Sequence, residues 1–182
     1  MLIAQQKYKE NIAEYLLYMW QVEDMIRAFS LNIDDLWYNV LESTNYDEKT
    51  KRQVRSWYEG LIEKMRIQSI EEAGHLHELN EIVKELFYIH SALLSNQDAH
   101  YKKLYLEAQE YIREFSEKSK SSTLNEIEIC LNALYMKLLL RLQQTPISDE
   151  SEKAFQAFSR LVSYVTKVYH LVKSGEINFY FN

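Results

Sequence analysis

Glycine and proline are almost missing from this chain of 182 residues, which has three of the first and one of the second. Folds assembled from tight turns draw on both, so their scarcity excludes a turn-rich β architecture and favours long, uninterrupted helices. There is one cysteine, Cys130, which excludes an intramolecular disulfide and suits a reducing compartment. No apolar run approaches the roughly 18–20 residues that a membrane span requires. The opening MLIAQQKYKEN lacks the apolar core of a signal peptide, so the expectation is a cytoplasmic protein with no membrane partner. Basic residues number 21 against 27 acidic ones, a net charge of −6. That balance argues against nucleic acid as a partner, because such binding rests on neutralising phosphates. The sequence also lacks a Gly-rich phosphate loop, an internal repeat and a low-complexity tract.

What remains is a globular composition, 47% apolar and 26% charged, long enough for one ordinary domain with a sizeable core. Fourteen tyrosines suit bundle edges and interfaces, where the ring is buried and the hydroxyl stays wet. Apolar spacing at i, i+3 and i+4 recurs throughout. It predicts a first helix over 3–28 with Ile12, Leu16, Met19 and Ile26 on one stripe, and a short second helix over 33–41 capped by Ser30 or Asn32. A third helix should be opened by a capping box of Asn45 with Glu48. Ser69 with Glu72 repeats that pattern before a fourth helix through about residue 94, and Thr123 with Glu126 repeats it before a helix over 124–143. Between them lies a helix carrying Tyr101, Leu104, Ala108, Tyr111 and Phe115, then a polar run over 116–122 that reads as loop. Pro146 stops the sixth helix, Ser148 or Asp149 caps the seventh, and Gly175 ends it. The expected fold is therefore all-α, a single-domain, up-and-down-like bundle of six or seven helices over 1–182. Its apolar tail, 175–182, should dock on the bundle or on a partner.

Candidate chemistry is sparse. Glu23 falls on the main apolar stripe of the first helix, and an isolated buried carboxylate is costly. Arg27, one turn on, is the simplest partner at i, i+4 spacing. His90 lies within the apolar face of the fourth helix, between Leu86, Phe87, Leu93 and Leu94. Glu23, Arg27 and His90, with Tyr15 and Asp24 beside the first two, make up the candidate ligand pocket. Glu72-Ala-Gly-His75 has the Glu-x-x-His spacing of di-iron bundles, but such sites need a second copy and further glutamates that this chain does not offer. No catalytic residue, metal ligand or cofactor is assigned.

Three stretches carry a resemblance to a known family. The opening MLIAQQKYKENIAEYLLYMWQVEDMIRAF, the segment GHLHELNEIV (Gly74 to Val83) and LNALYMKLLLRL (Leu131 to Leu142) resemble domain-of-unknown-function family 4924, small helical proteins of Bacteroidetes-type bacteria. The likeness covers nearly the whole chain. It implies an intracellular all-helical protein and carries no functional residues with it.

Two function classes follow. The favoured one is a non-catalytic structural or interaction protein, homodimeric. Its motive is the helix over 124–143, which carries Ile127, Leu131, Leu134, Leu138 and Leu142 on one side. Ile129, Ala133, Met136 and Leu140 lie nearly opposite. The alternative is a small-molecule-binding protein or enzyme using the pocket around Glu23, Arg27 and His90.

Overall fold

The structure is a computed structural model, and it describes residues 2–119 and 124–179. Every element among those residues is helical. In chain order they are α1 (Leu2–Glu10), α2 (Ile12–Ala28), α3 (Ile33–Leu36), which runs on into a π-helical turn (Trp37–Leu41), and α4 (Glu48–Ile67). There follow α5 (His77–Ser95), α6 (Ala99–Ser119), α7 (Glu126–Leu142) and α8 (Asp149–Lys173). The all-helical expectation holds. The count of six or seven does not, because eight α-helices are present among the described residues.

Two compact units divide the chain. The first comprises Met1–Glu10 with Glu14–Glu81, the second Asn11–Ala13 with Ile82–Asn182. In the first, the predicted stripe of α2 is buried at Leu16, Met19 and Ile26, with Val22 buried beside it, as are Tyr58, Leu61, Ile62 and Met65 of α4. In the second, α8 packs on both α6 and α7, which also touch each other. Its core includes Leu86, Tyr101, Ala108, Ile127, Cys130, Leu131, Phe158, Val162 and Val165.

The helix boundaries show how a chain with three glycines stops its helices. After α4, the Ile70 N–H reaches the Met65 carbonyl at 3.0 Å and the Ser69 N–H reaches Arg66 at 3.0 Å. That is a Schellman closure, with Ser69 in the left-handed region at φ 54°. The same closure follows α2 with Ser30, α5 with Gln97, α7 with Gln144 and α8 with Gly175 at the left-handed position. Only the last uses the residue that takes this conformation without steric cost.

Several sequence-level boundaries need correction. The first helix breaks at Asn11, whose side-chain oxygen accepts from the Ala13 N–H at 3.1 Å. This is a local bond that competes with helix continuation. Asp47, not Asn45, caps α4, through the Thr50 N–H at 2.7 Å. The Ser69–Glu72 capping box does not form, since residues 68–76 are a loop and α5 starts at His77. Asn125 caps α7 through the Glu128 N–H at 2.9 Å, so Glu126 is its first helical residue. Thr123 lies outside the described residues. The polar run expected as loop is helical through Ser119, and 120–122 lie outside the described residues. Asn32 caps α3 and Ser148 caps α8, as expected. Of the C-terminal tail, Phe179 lines a small recess with Tyr88, Ile89 and Tyr169, and 180–182 lie outside the described residues.

Candidate functional site

The predicted pocket residues divide between the two units. Tyr15, Glu23, Asp24 and Arg27 stand on α2 within the first, and His90 stands on α5 within the second. Each side has its own hydrogen-bond network.

Glu23 is 1% exposed, as its place on the stripe requires, but Arg27 is not its partner. One carboxylate oxygen accepts the Leu76 N–H at 2.8 Å, and the other meets His75 Nδ1 at 2.6 Å. An ionised carboxylate only accepts, so Nδ1 donates. The imidazole lies flat against Trp20, ring centroids 4.4 Å apart at 18°. Its Nε2 has no hydrogen-bond partner among the described residues. Arg27 turns instead to Asp24 at 2.9 Å and to the carbonyls of Ile70 and Gly74. The acid and the base of α2 thus grip one object, the loop 68–76, at its backbone and at His75. Gly74 allows the loop to pass, with φ at +93°. Glu72 of the Glu-x-x-His pair is exposed in this loop, which is not helical, so the di-iron geometry does not arise. Tyr15 is half-buried, its ring edge-on to Tyr8 at 5.1 Å and 86°, and burial raises its pKa.

His90, 2% exposed, is held at both nitrogens. Nε2 lies 2.9 Å from Glu126 Oε2 and Nδ1 lies 2.5 Å from the Tyr101 hydroxyl. Because Glu126 must accept, Nε2 donates, and a neutral ring then takes the Tyr101 O–H at Nδ1. Tyr105 donates to the other oxygen of Glu126 at 2.8 Å. The bond from His90 holds the Glu126 carboxyl below the usual range, with the Tyr105 bond adding to it. Burial, followed by the Glu126 bond, pushes the Tyr105 hydroxyl up to about 12. Burial also pushes the Tyr101 hydroxyl well up, so it stays a donor. Sequence reasoning finds His90 and misses these companions, because it assigns Glu126 to a cap and Tyr101 to a core stripe and gives Tyr105 no role.

Chemically, both clusters are hydrogen-bonded networks around a buried group, the first tying a loop to α2 and the second tying α5, α6 and α7 together. Cys130 is buried with its thiol pushed up by burial, the reverse of what a nucleophile needs. Among the described residues no group of three His, Cys, Asp or Glu side chains is placed to hold a metal ion. No helix of the structure is long and apolar enough to cross a membrane, among the same residues.

Fold and site together define an all-helical protein of two compact units, with buried Glu23 hydrogen-bonded in the first and buried His90 in the second. The chain belongs to the family described as domain of unknown function DUF4924, whose model matches residues 1–176. No curated protein and no solved structure matches it.

Proposed function

We propose that this is a non-catalytic helical interaction protein of the cytoplasm, acting as a homodimer joined through the C-terminal half of α7. The observation that carries the reading is how burial changes along that helix. Ile127, Ile129, Cys130, Leu131 and Ala133 are buried, whereas Leu134, Leu138, Leu139 and Leu140 are only half-covered. Met136 is 40% and Leu142 59% exposed. The basic residues on this stretch, Lys137 and Arg141, both turn to Glu152, at 2.6 and 3.7 Å. The side of the helix that carries Leu138, Leu139 and Leu142 is left apolar, and Met136 is exposed on another side. A second copy suits the leucine side, since a two-fold axis sets leucine on leucine with no like charges opposed. A partner recognised by charge would need a charge to meet. The buried free thiol of Cys130 supports a reducing compartment.

The rival reading, a ligand or enzyme site around Glu23, Arg27 and His90, receives less support, because each of those groups already has protein partners. We further read the two units as one cooperative domain, because α5 runs without a break from the first unit into the second. A single unfolding transition with coincident probes is expected.

Light scattering or sedimentation tests the dimer. The parent should be dimeric at micromolar concentration, burying on the order of 800 Å² per subunit. Leu142→Lys should give a folded monomer. A monomeric parent, or a dimer that survives the change, overturns the reading.

A further inference from the structure

The first unit contains a groove that none of the foregoing uses. It measures about 450 Å³ and lies among α1, α2, α4 and the start of α5. That volume is within the usual size of a small-molecule site, roughly 300–1,000 Å³. Met19, Leu61 and Leu79 contribute its apolar lining, and all three are buried. Tyr8, Tyr15 and Trp57 give it aromatic walls. Its charged residues are Lys9, Lys64 and Glu78. Lys64 and Glu78 neutralise each other at 2.6 Å. Lys9 has no ion-pair or hydrogen-bond partner among the described residues, and neither does the hydroxyl of the half-buried Tyr15. The groove therefore combines an apolar floor, flat π surfaces, an unused hydroxyl and one uncompensated cation, on a chain whose net charge is −6.

We propose that this groove is a binding site for a small planar aromatic carboxylate. The rings of such a molecule lie over the apolar floor against Trp57 and the edge-on pair Tyr8 and Tyr15, where offset or edge-on contacts with aromatic side chains are favourable. Its carboxylate meets the Lys9 ammonium at the exposed rim of the groove. A neutral aromatic gains the stacking but leaves Lys9 unused. A cationic one is repelled by Lys9 and finds Glu78 already paired. This site is separate from the α7 face, so its success or failure is independent of the dimer.

Calorimetric titration of the full-length protein with 2-naphthoate, and with neutral 2-naphthalenemethanol as control, tests the proposal. The parent should bind naphthoate saturably at one site per chain, and the alcohol several-fold more weakly. Lys9→Met should weaken naphthoate by up to about fivefold, the upper end for one exposed ion pair, and leave the alcohol unchanged. Gln5→Trp, an exposed lining residue enlarged into the groove, should abolish binding of both. Both variants change surface positions of α1, and unaltered circular dichroism and unfolding midpoint establish that they fold. The proposal is overturned by the absence of saturable naphthoate binding. It is equally overturned by binding that survives Gln5→Trp, or by equal affinity for the acid and the alcohol.

Discussion

His75→Phe isolates the bond that fastens the loop 68–76 to α2. Phenylalanine keeps a flat ring to lie on Trp20, where the imidazole now sits at 4.4 Å, and removes the Nδ1 donor together with Nε2, which has no partner among the described residues. Glu23 then retains the Leu76 N–H at 2.8 Å and loses its second donor. A hydrogen bond to a charged group contributes about 1.5–3 kcal/mol, and stranding a fully buried charge costs about 3–5 kcal/mol. The His75 side chain is 28% exposed, so water reaches this edge of the site and the lower range governs. The expected loss is about 2 kcal/mol, or roughly 4–8 °C in Tm for a chain of this size. Glu23→Gln should cost less, about 1 kcal/mol. The amide oxygen still accepts from Leu76, and the amide nitrogen can donate to Nδ1 once the imidazole proton moves to Nε2. Adding Glu23→Gln to His75→Phe removes the stranded charge and should recover part of the loss. Urea denaturation at pH 7 with a constant m-value reads all three. A change within about 0.5 kcal/mol for His75→Phe would refute the reasoning, because that is the size expected of a solvated pair.

The same logic revises what Arg27 does. Pairing with Glu23 would make Arg27→Met cost about 3–5 kcal/mol by stranding a buried acid. Since Arg27 instead serves Asp24 and the loop carbonyls, about 1–2 kcal/mol is expected in the same urea series. Ser69→Gly should stabilise by about 1 kcal/mol, because it relieves a left-handed conformation at φ 54°. Thermal unfolding reads it as a raised midpoint. The Glu126 carboxyl is held below its ordinary value by the His90 bond, so its contribution is present in full above the unfolded value of about 4.3. That contribution is lost as pH falls through the lower folded value. Glu126→Gln should therefore narrow its stability gap to the parent below about pH 4, measured by denaturation at several pH values.

How much of this was legible follows from what kind of information each feature needs. The cores were legible because burial repeats with the helix. Leu16, Met19 and Ile26 of α2, and Phe155, Phe158, Val162 and Val165 of α8, are buried as the spacing requires. Caps were less so. A Ser, Asn or Asp lies a few residues before several of these helices, and only the actual turn decides which oxygen meets an N–H. Asp47 displaced Asn45 and Asn125 is the cap of α7 on that ground alone. The stops were hardest. Glycine is the usual signal for a left-handed closure, and here Ser30, Ser69, Gln97 and Gln144 fill that position. A scarcity of glycine correctly implied helices but hid where they end, which is why the loop 68–76 was read as the start of one.

That hidden loop is also why the site was misread. A helical wheel can place Glu23 on a buried face, but it offers partners only from the same helix. There, Arg27 looks obligatory at i+4. Two facts of geometry break the pairing. Asp24, one position on, lies at i−3 from Arg27 and is 48% exposed, so the guanidinium can bond it without entering the core. The long arginine arm then reaches backbone carbonyls at the protein edge, where its charge stays partly hydrated. Glu23 has no such freedom, being short and buried, and must be met by a donor brought to it. His75 and the Leu76 N–H come from 52 and 53 residues away, a separation that no periodicity records. His90 follows the same rule, its partners being 11 and 36 residues distant. A buried ionisable group on an apolar stripe therefore predicts that a polar partner exists and that some other segment must carry it. The identity of that segment is set by packing between helices, which spacing within one helix does not encode.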